Sequence, residues 1–204
     1  FAAPDVRQDR EVVLAAVARD GWLLQQVAES FRRDRQVVMT AVQDTGQALR
    51  YAARGLQEDR GVVLAAVREC ADALRHAGKR PRQDREVLIA AVEEDGLLLE
   101  LASDTLKRDR RVAMAAIKQN GLALRHVADS LRRDKELVLL AVSQSRVGLG
   151  PVAAELRGDK DVVLAAVRQC GAELELAAPS LRRDPEIVKA AVLDIGSEAF
   201  SYAA

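Results

Sequence analysis

The segment "DREVVLAAV", Asp9 to Val17, decides how the whole chain is read. It returns with small changes as "DKDVVLAAV" at Asp159–Val167 and as "DPEIVKAAV" at Asp184–Val192. Its aspartate belongs to a series, Asp9, Asp34, Asp59, Asp84, Asp109, Asp134, Asp159 and Asp184, each 25 residues after the last with no insertion. Eight residues after each Asp stands Val, or Ile at Ile117, and the residue before it is always Ala. Fifteen residues after the Asp stands Leu, from Leu24 to Leu174, replaced only by Ala199 in the last module. A strict period of this length marks a repeat array, in which one short unit is copied and stacked.

Each column has a physical reading. Asp in front of an apolar periodic run is a helix N-cap, accepting a bond from a backbone N–H that has no partner inside the helix. Acids two places on, such as Glu11, Glu86 and Asp161, put negative charge where the helix dipole favours it. Pro185, which looks like a helix breaker, stands directly after Asp184. That is the first helical position, where a missing N–H costs nothing. Val12, Val13, Ala16 and Val17 with Leu14 make the helix apolar around most of its circumference, so neighbours must cover it on both sides. Gly21, Gly46, Gly96, Gly121, Gly171 and Gly196 share one column, where a left-handed glycine is expected to close the helix. A shorter second helix carrying Leu24, Val27 and Ala28 follows, then a turn whose Phe31 or Leu131 tucks back. The predicted fold is all-α, an α-solenoid of eight 25-residue helix–turn–helix repeats forming a single array over residues 1–204.

The recurring phrase D-x-E-V-V-L-x-A-V, followed by G-x-A-L, resembles a family of uncharacterised helical repeats catalogued as domain of unknown function 4116. The family's unit corresponds to two modules here, and the resemblance covers essentially the whole chain. It implies an α-helical array of a kind common in algal and other protist proteins. It implies no catalytic residues.

Composition narrows the function classes. The chain holds 31 basic and 31 acidic side chains, and no apolar run approaches the length of a membrane span. Cys70 and Cys170 share a column four modules apart, and His76 and His126 share another two modules apart. In a regular stack neither pair can meet in a bridge or a metal site. There is no phosphate-binding glycine loop. No catalytic, cofactor-binding or metal-ligating residue is therefore assigned, and the chain is not expected to be an enzyme.

What remains is binding. The turns are basic: Arg32, Arg82, Arg132 and Arg182 precede the cap Asp by two, Arg10 to Lys160 follow it, and Arg33, Arg133 and Arg183 lie between. Nineteen cations and fourteen acids share this edge, a smaller excess than a phosphate-tracking surface needs, and no aromatic recurs for base stacking. Most of the edge is expected to pair module to module. Two modules depart from the pattern. Gly78 and Pro81 interrupt one, while Arg146, Gly148, Gly150 and Pro151 interrupt another. A local kink is expected at each, with Arg146, Gly150 and Pro151 as candidate contacts. Phe200 and Tyr202 replace the residues expected in their columns and are read as an apolar cap or docking patch. Lys189 and Pro185 mark the last module as built for a different neighbour.

The chain begins with Phe1 rather than Met, which points to a fragment or a processed chain. "FAAP" at Phe1–Pro4 resembles the Phe-led motif behind the signal peptide of plastid-targeted algal proteins. The expected function is a non-catalytic protein-binding scaffold or accessory subunit of a larger assembly, with an algal plastid or photosynthetic complex as its home. RNA binding through Arg32, Arg132 and Arg182 is the alternative.

Overall fold

The computed structural model describes residues 9–144 and 147–203. The "FAAP" segment and Arg146 lie outside the described residues. Within them every regular element is helical. Eight long helices start at the expected places: α1 (Arg10–Val17), α2 (Arg35–Asp44), α3 (Arg60–Glu69), α4 (Arg85–Glu94), α5 (Arg110–Gln119), α6 (Lys135–Gln144), α7 (Lys160–Gln169) and α8 (Pro185–Ile195). None is long and apolar enough to cross a membrane.

The aspartate caps are made as the sequence predicts. Asp9 Oδ1 accepts from the N–H groups of Glu11 at 2.8 Å and Val12 at 3.3 Å. Asp34 does the same for Gln36 and Val37 at 2.9 and 3.2 Å. Asp184 accepts from Glu186 at 2.9 Å and Ile187 at 3.3 Å, with Pro185 as the first helical residue. In α2 the fully buried residues are Val37, Val38, Ala41 and Val42, a stripe at spacings of one, three and four that faces its neighbours.

The chain divides into two compact units, one ending at Leu106 and one beginning at Lys107. In the first, α1 packs on α2, α2 on α3 and α3 on α4. In the second, α5 packs on α6, α6 on α7 and α7 on α8. Within each unit, successive helices thus cover one another's apolar sides.

Residues 147–152 of the sixth module hold only turns and bends, and the last module has a 3₁₀ turn, Gly196–Glu198, followed by the α turn Ala199–Tyr202. In the other six modules the second helix is a 3₁₀ helix, as at Gly46–Tyr51, Ala71–His76 and Gly171–Leu176. The residue in front is fully extended, with φ of −140° at Thr45 and −147° at Cys70, so the chain turns sharply off the α-helix. Three residues per turn then bring every third side chain onto one line, and Gly46, Leu49 and Ala52 form that buried line. A further single turn of helix, such as Arg54–Gln57, leads to the next cap.

The expectation of a left-handed closing glycine fails in most modules. Among the described residues only Gly148 (φ +68°) and Gly196 (φ +63°) have positive φ. Gly46 is needed because a Cβ there would lie 2.3 Å from the carbonyl oxygen of Ala66 in the next module. Gly21 meets Ala41 O at the same 2.3 Å, and Gly171 meets Ala191 O at 2.8 Å. At Gly21, Gly46 and Gly171 the glycine is fixed by close approach between modules, not by backbone handedness. The N–H groups of this column bond forward too: Gly21 donates to Asp44 and Gly171 to Asp194, both at 2.7 Å.

Candidate functional site

The basic edge is the first candidate surface, and its cations have partners. Arg10 Nε lies 2.8 Å from Asp34, Arg35 Nε 3.0 Å from Asp59, and Arg60 Nε 2.8 Å from Asp84. In the second unit Arg110 reaches Asp134 and Lys135 reaches Asp159, both at 2.8 Å, and Lys160 reaches Asp184 at 2.9 Å. Each of these six cap carboxylates therefore holds its own helix and the cation of the module before it. The bond to that cation holds the Asp34, Asp59, Asp134, Asp159 and Asp184 carboxyls below their usual range. First-turn acids join in, with Glu86 on Arg60, Glu136 on Arg110 and Asp161 on Lys135. The groups are largely exposed, so each pair contributes little alone.

The arginines two places before the cap turn inward to their own module. Arg32 donates from Nε to Val27 O at 3.2 Å and from Nη2 to Gln25 O at 2.9 Å. Arg82 does the same to Leu74 and Arg75, and Arg157 to Val152 and Gly150. Arg132 Nη2 donates to Arg125 O at 2.6 Å. These carbonyls lie where the second helix of the module ends, and the arginine adds a side-chain donor there. Gln57 occupies the same column and reaches Leu49 O and Arg50 O, so the column serves hydrogen bonding, with charge secondary. The Nε atoms of Arg132 and Arg182 are buried without a hydrogen-bond partner. Of the candidate contacts, Arg32 and Arg132 thus spend donors on backbone, and Arg182 is half-buried.

Each irregular segment is filled by a carboxylate from an adjacent module, the preceding one for Gly78 and the next one for Gly148. The Glu58 carboxylate accepts from the N–H groups of Lys79 and Arg80, each at 3.0 Å. Its carboxyl carbon lies 2.2 Å from where a Cβ on residue 78 would be, so Gly78 leaves open the space this side chain occupies. Pro81 is buried and opens the short 3₁₀ turn Pro81–Gln83. In the second unit, Glu173 accepts from Leu149 N–H at 2.6 Å and occupies the space beside Gly148. Gly150 is exposed with open space around it, and Pro151 is half-buried.

His76 Nε2 lies 3.1 Å from Gln47 Oε1, and Gln47 Nε2 donates to Asp72 at 3.0 Å. With the amide so oriented, His76 Nε2 carries the proton. Partial burial first, then nearby Arg50, push this imidazole below its usual range. Cys70 and Cys170 are half-buried free thiols. Among the described residues no three His, Cys, Asp or Glu side chains are grouped to hold a metal. One cluster carried no sequence signal: Trp22 and Tyr51 meet edge-to-face at 6.2 Å, with Arg50 over the Tyr51 ring at 5.0 Å.

The last module presents apolar surface. Leu193 is 80% exposed and Phe200 64%, while Tyr202 is half-buried. Between α7 and α8 runs a groove of about 450 Å³, lined by Leu164, Arg168, Glu186, Lys189, Ala190, Leu193 and Asp194.

No curated protein and no solved structure matches the chain. The family described as Domain of unknown function (DUF4116) matches residues 9–57, 59–107, 84–132, 109–157 and 159–204. Each match spans two modules, and matches starting at 59, 84 and 109 overlap by one, so the family pattern fits in either pairing of the 25-residue unit. By these matches, by its cap aspartates and by its all-α repeat fold, the chain belongs to the DUF4116 family.

Proposed function

We propose that this chain is a non-catalytic protein-binding module, a scaffold or accessory subunit of a larger assembly. The observation that carries the reading is the placement of Leu193 and Phe200. Both are large, apolar and exposed, and both stand in columns that are exposed in the preceding module, where Arg168 and Glu175 occupy them. Large apolar side chains exposed where the preceding module carries charged ones support a contact surface on this module. RNA binding is the weaker reading, because the N1 cations face carboxylates and the second cationic column faces carbonyls. The test is crosslinking of the full chain in an extract of its source organism, followed by mass spectrometry. Specific protein partners, enriched over an unrelated helical-repeat control, are expected. Recovery of RNA alone, or of no partner above the control, overturns the reading.

A further inference from the structure

Resting on the protein-binding reading, we propose that a second surface, the row of 3₁₀ side chains led by Trp22 and Tyr51 in the first unit, takes a proline-rich segment of a partner protein. The first support is the row itself. Trp22 and Gln25 stand one 3₁₀ turn apart on one face of their short helix, as do Gln47 and Arg50 in the next module and Asp72 and Arg75 in the one after. Behind them the buried columns scarcely change, with Leu24, Leu49 and Leu74 in one and Val37, Val62 and Val87 in another. Packing therefore does not dictate the row, whose chemistry changes in every module.

The second support is what the row offers a partner. The Trp22 and Tyr51 rings meet at 72°, Trp22 is 43% exposed, and among the described residues its indole N–H has no acceptor. Gln25 is exposed beside it. Aromatic rings with a free N–H donor suit proline. The pyrrolidine packs on the rings, and a polyproline II helix makes no internal hydrogen bonds, so its carbonyls stay open to the donor. An α-helix spends those carbonyls internally. The periods also agree. Polyproline II advances about 9 Å per three-residue turn, and packed helices lie about 8–10 Å apart, so every third residue of the segment meets the same column of the next module. A β-strand, presenting alternate residues about 6.6 Å apart, falls out of step.

Charge points the same way. Arg50 and Arg75 are matched by Asp72 and Glu100 in the row. Arg75 pairs with both acids, at 2.6 and 2.8 Å, and Arg50 lies over the Tyr51 ring. A row without net charge complements an uncharged segment. It gives single-stranded RNA, which also stacks on rings, no excess of cations to follow.

Trp22 is the chain's single tryptophan, so its emission reports on this face directly. The full chain is titrated with a proline peptide of about ten residues, some three turns of polyproline II, with an alanine-rich helical peptide of the same length, and with oligouridylate. The proline peptide is expected to shift Trp22 emission saturably, and equally at about 0.05 and about 0.5 M salt. Anisotropy of the labelled peptide then reads the variants. Trp22→Phe keeps a ring but loses the donor, and should weaken binding about fivefold. Trp22→Ala and Tyr51→Ala should each weaken it about tenfold or more. Equal binding of the alanine peptide, tighter binding of oligouridylate, binding that leaves Trp22 emission or these variants unmoved, or no binding at all overturns the assignment. Partner recovery in the crosslinking experiment is read separately, so the row can fail while protein binding stands.

Discussion

Gly46 and Gly196 stand in the same column of the repeat, and their surroundings could hardly differ more. Gly46 has ordinary backbone angles and is buried, with the Ala66 carbonyl oxygen where a Cβ would go. Gly196 is exposed, has nothing within 4 Å of that position, and has φ of +63° at the end of α8. One glycine is there for the neighbouring module, the other for its own backbone. A column of identical residues can thus conceal two constraints, and only the second is local enough to be read from one module.

Substitution separates the two. Gly46→Ala drives a methyl into a backbone oxygen that cannot swing aside, and we expect a loss of about 3 kcal/mol, the upper end of overpacking costs, measured by urea unfolding. A loss below that of Gly196→Ala would remove the distinction.

Acid tests the carboxylates that link the same modules. The bonds from Arg and Lys depress the folded pKa of the cap aspartates. Their contribution is therefore present above the unfolded value, about 3.9, and is lost as pH falls through the lower folded values. The melting temperature should hold from pH 7 to about 5 and fall below about pH 4. A flat profile down to pH 2 would show that the ladder contributes nothing.

Gly78→Ala should cost about 1–2 kcal/mol, because the Glu58 carboxylate must leave the two N–H groups it caps. Glu58→Ala should cost a similar amount. The double variant should cost clearly less than the sum, since the two changes remove one contact. Strict additivity would break the pairing. Gly196→Ala is expected to cost about 1–2 kcal/mol from its own backbone alone, since φ of +63° with ψ of −142° is a conformation reached readily only by glycine.

These contrasts show which parts of the fold were legible in advance. The cap at Asp34 and the buried stripe Val37, Val38, Ala41 and Val42 depend on residues within one helical turn, and local spacing reveals them. The glycine column depends on Ala66, twenty residues from Gly46, so one module read alone suggests the commoner use of glycine. The 3₁₀ helix did have a signal, the three-residue spacing of Gly46, Leu49 and Ala52, which two further turns of α-helix would not keep on one line. The expected pairing of Arg with acids of the next module is found along the cap aspartates. The inward turn of Arg32 and Arg132 was hidden, because a basic column looks the same whether it faces solvent or its own carbonyls.

The forward bonds of the cap ladder have a bearing on how such a chain can grow. Arg10 reaches Asp34 and Arg35 reaches Asp59, so any module that begins with this Asp–Arg pair offers the same plug and the same socket. Excision or duplication of a whole 25-residue length leaves every plug facing a socket, while a change of any other length strands them. The Glu58–Gly78 and Glu173–Gly148 contacts are the exceptions. They tie particular neighbours together, and a duplication event cutting between them would leave a carboxylate without its niche. The ladder makes the modules exchangeable in principle, and these two contacts record where their order has become fixed.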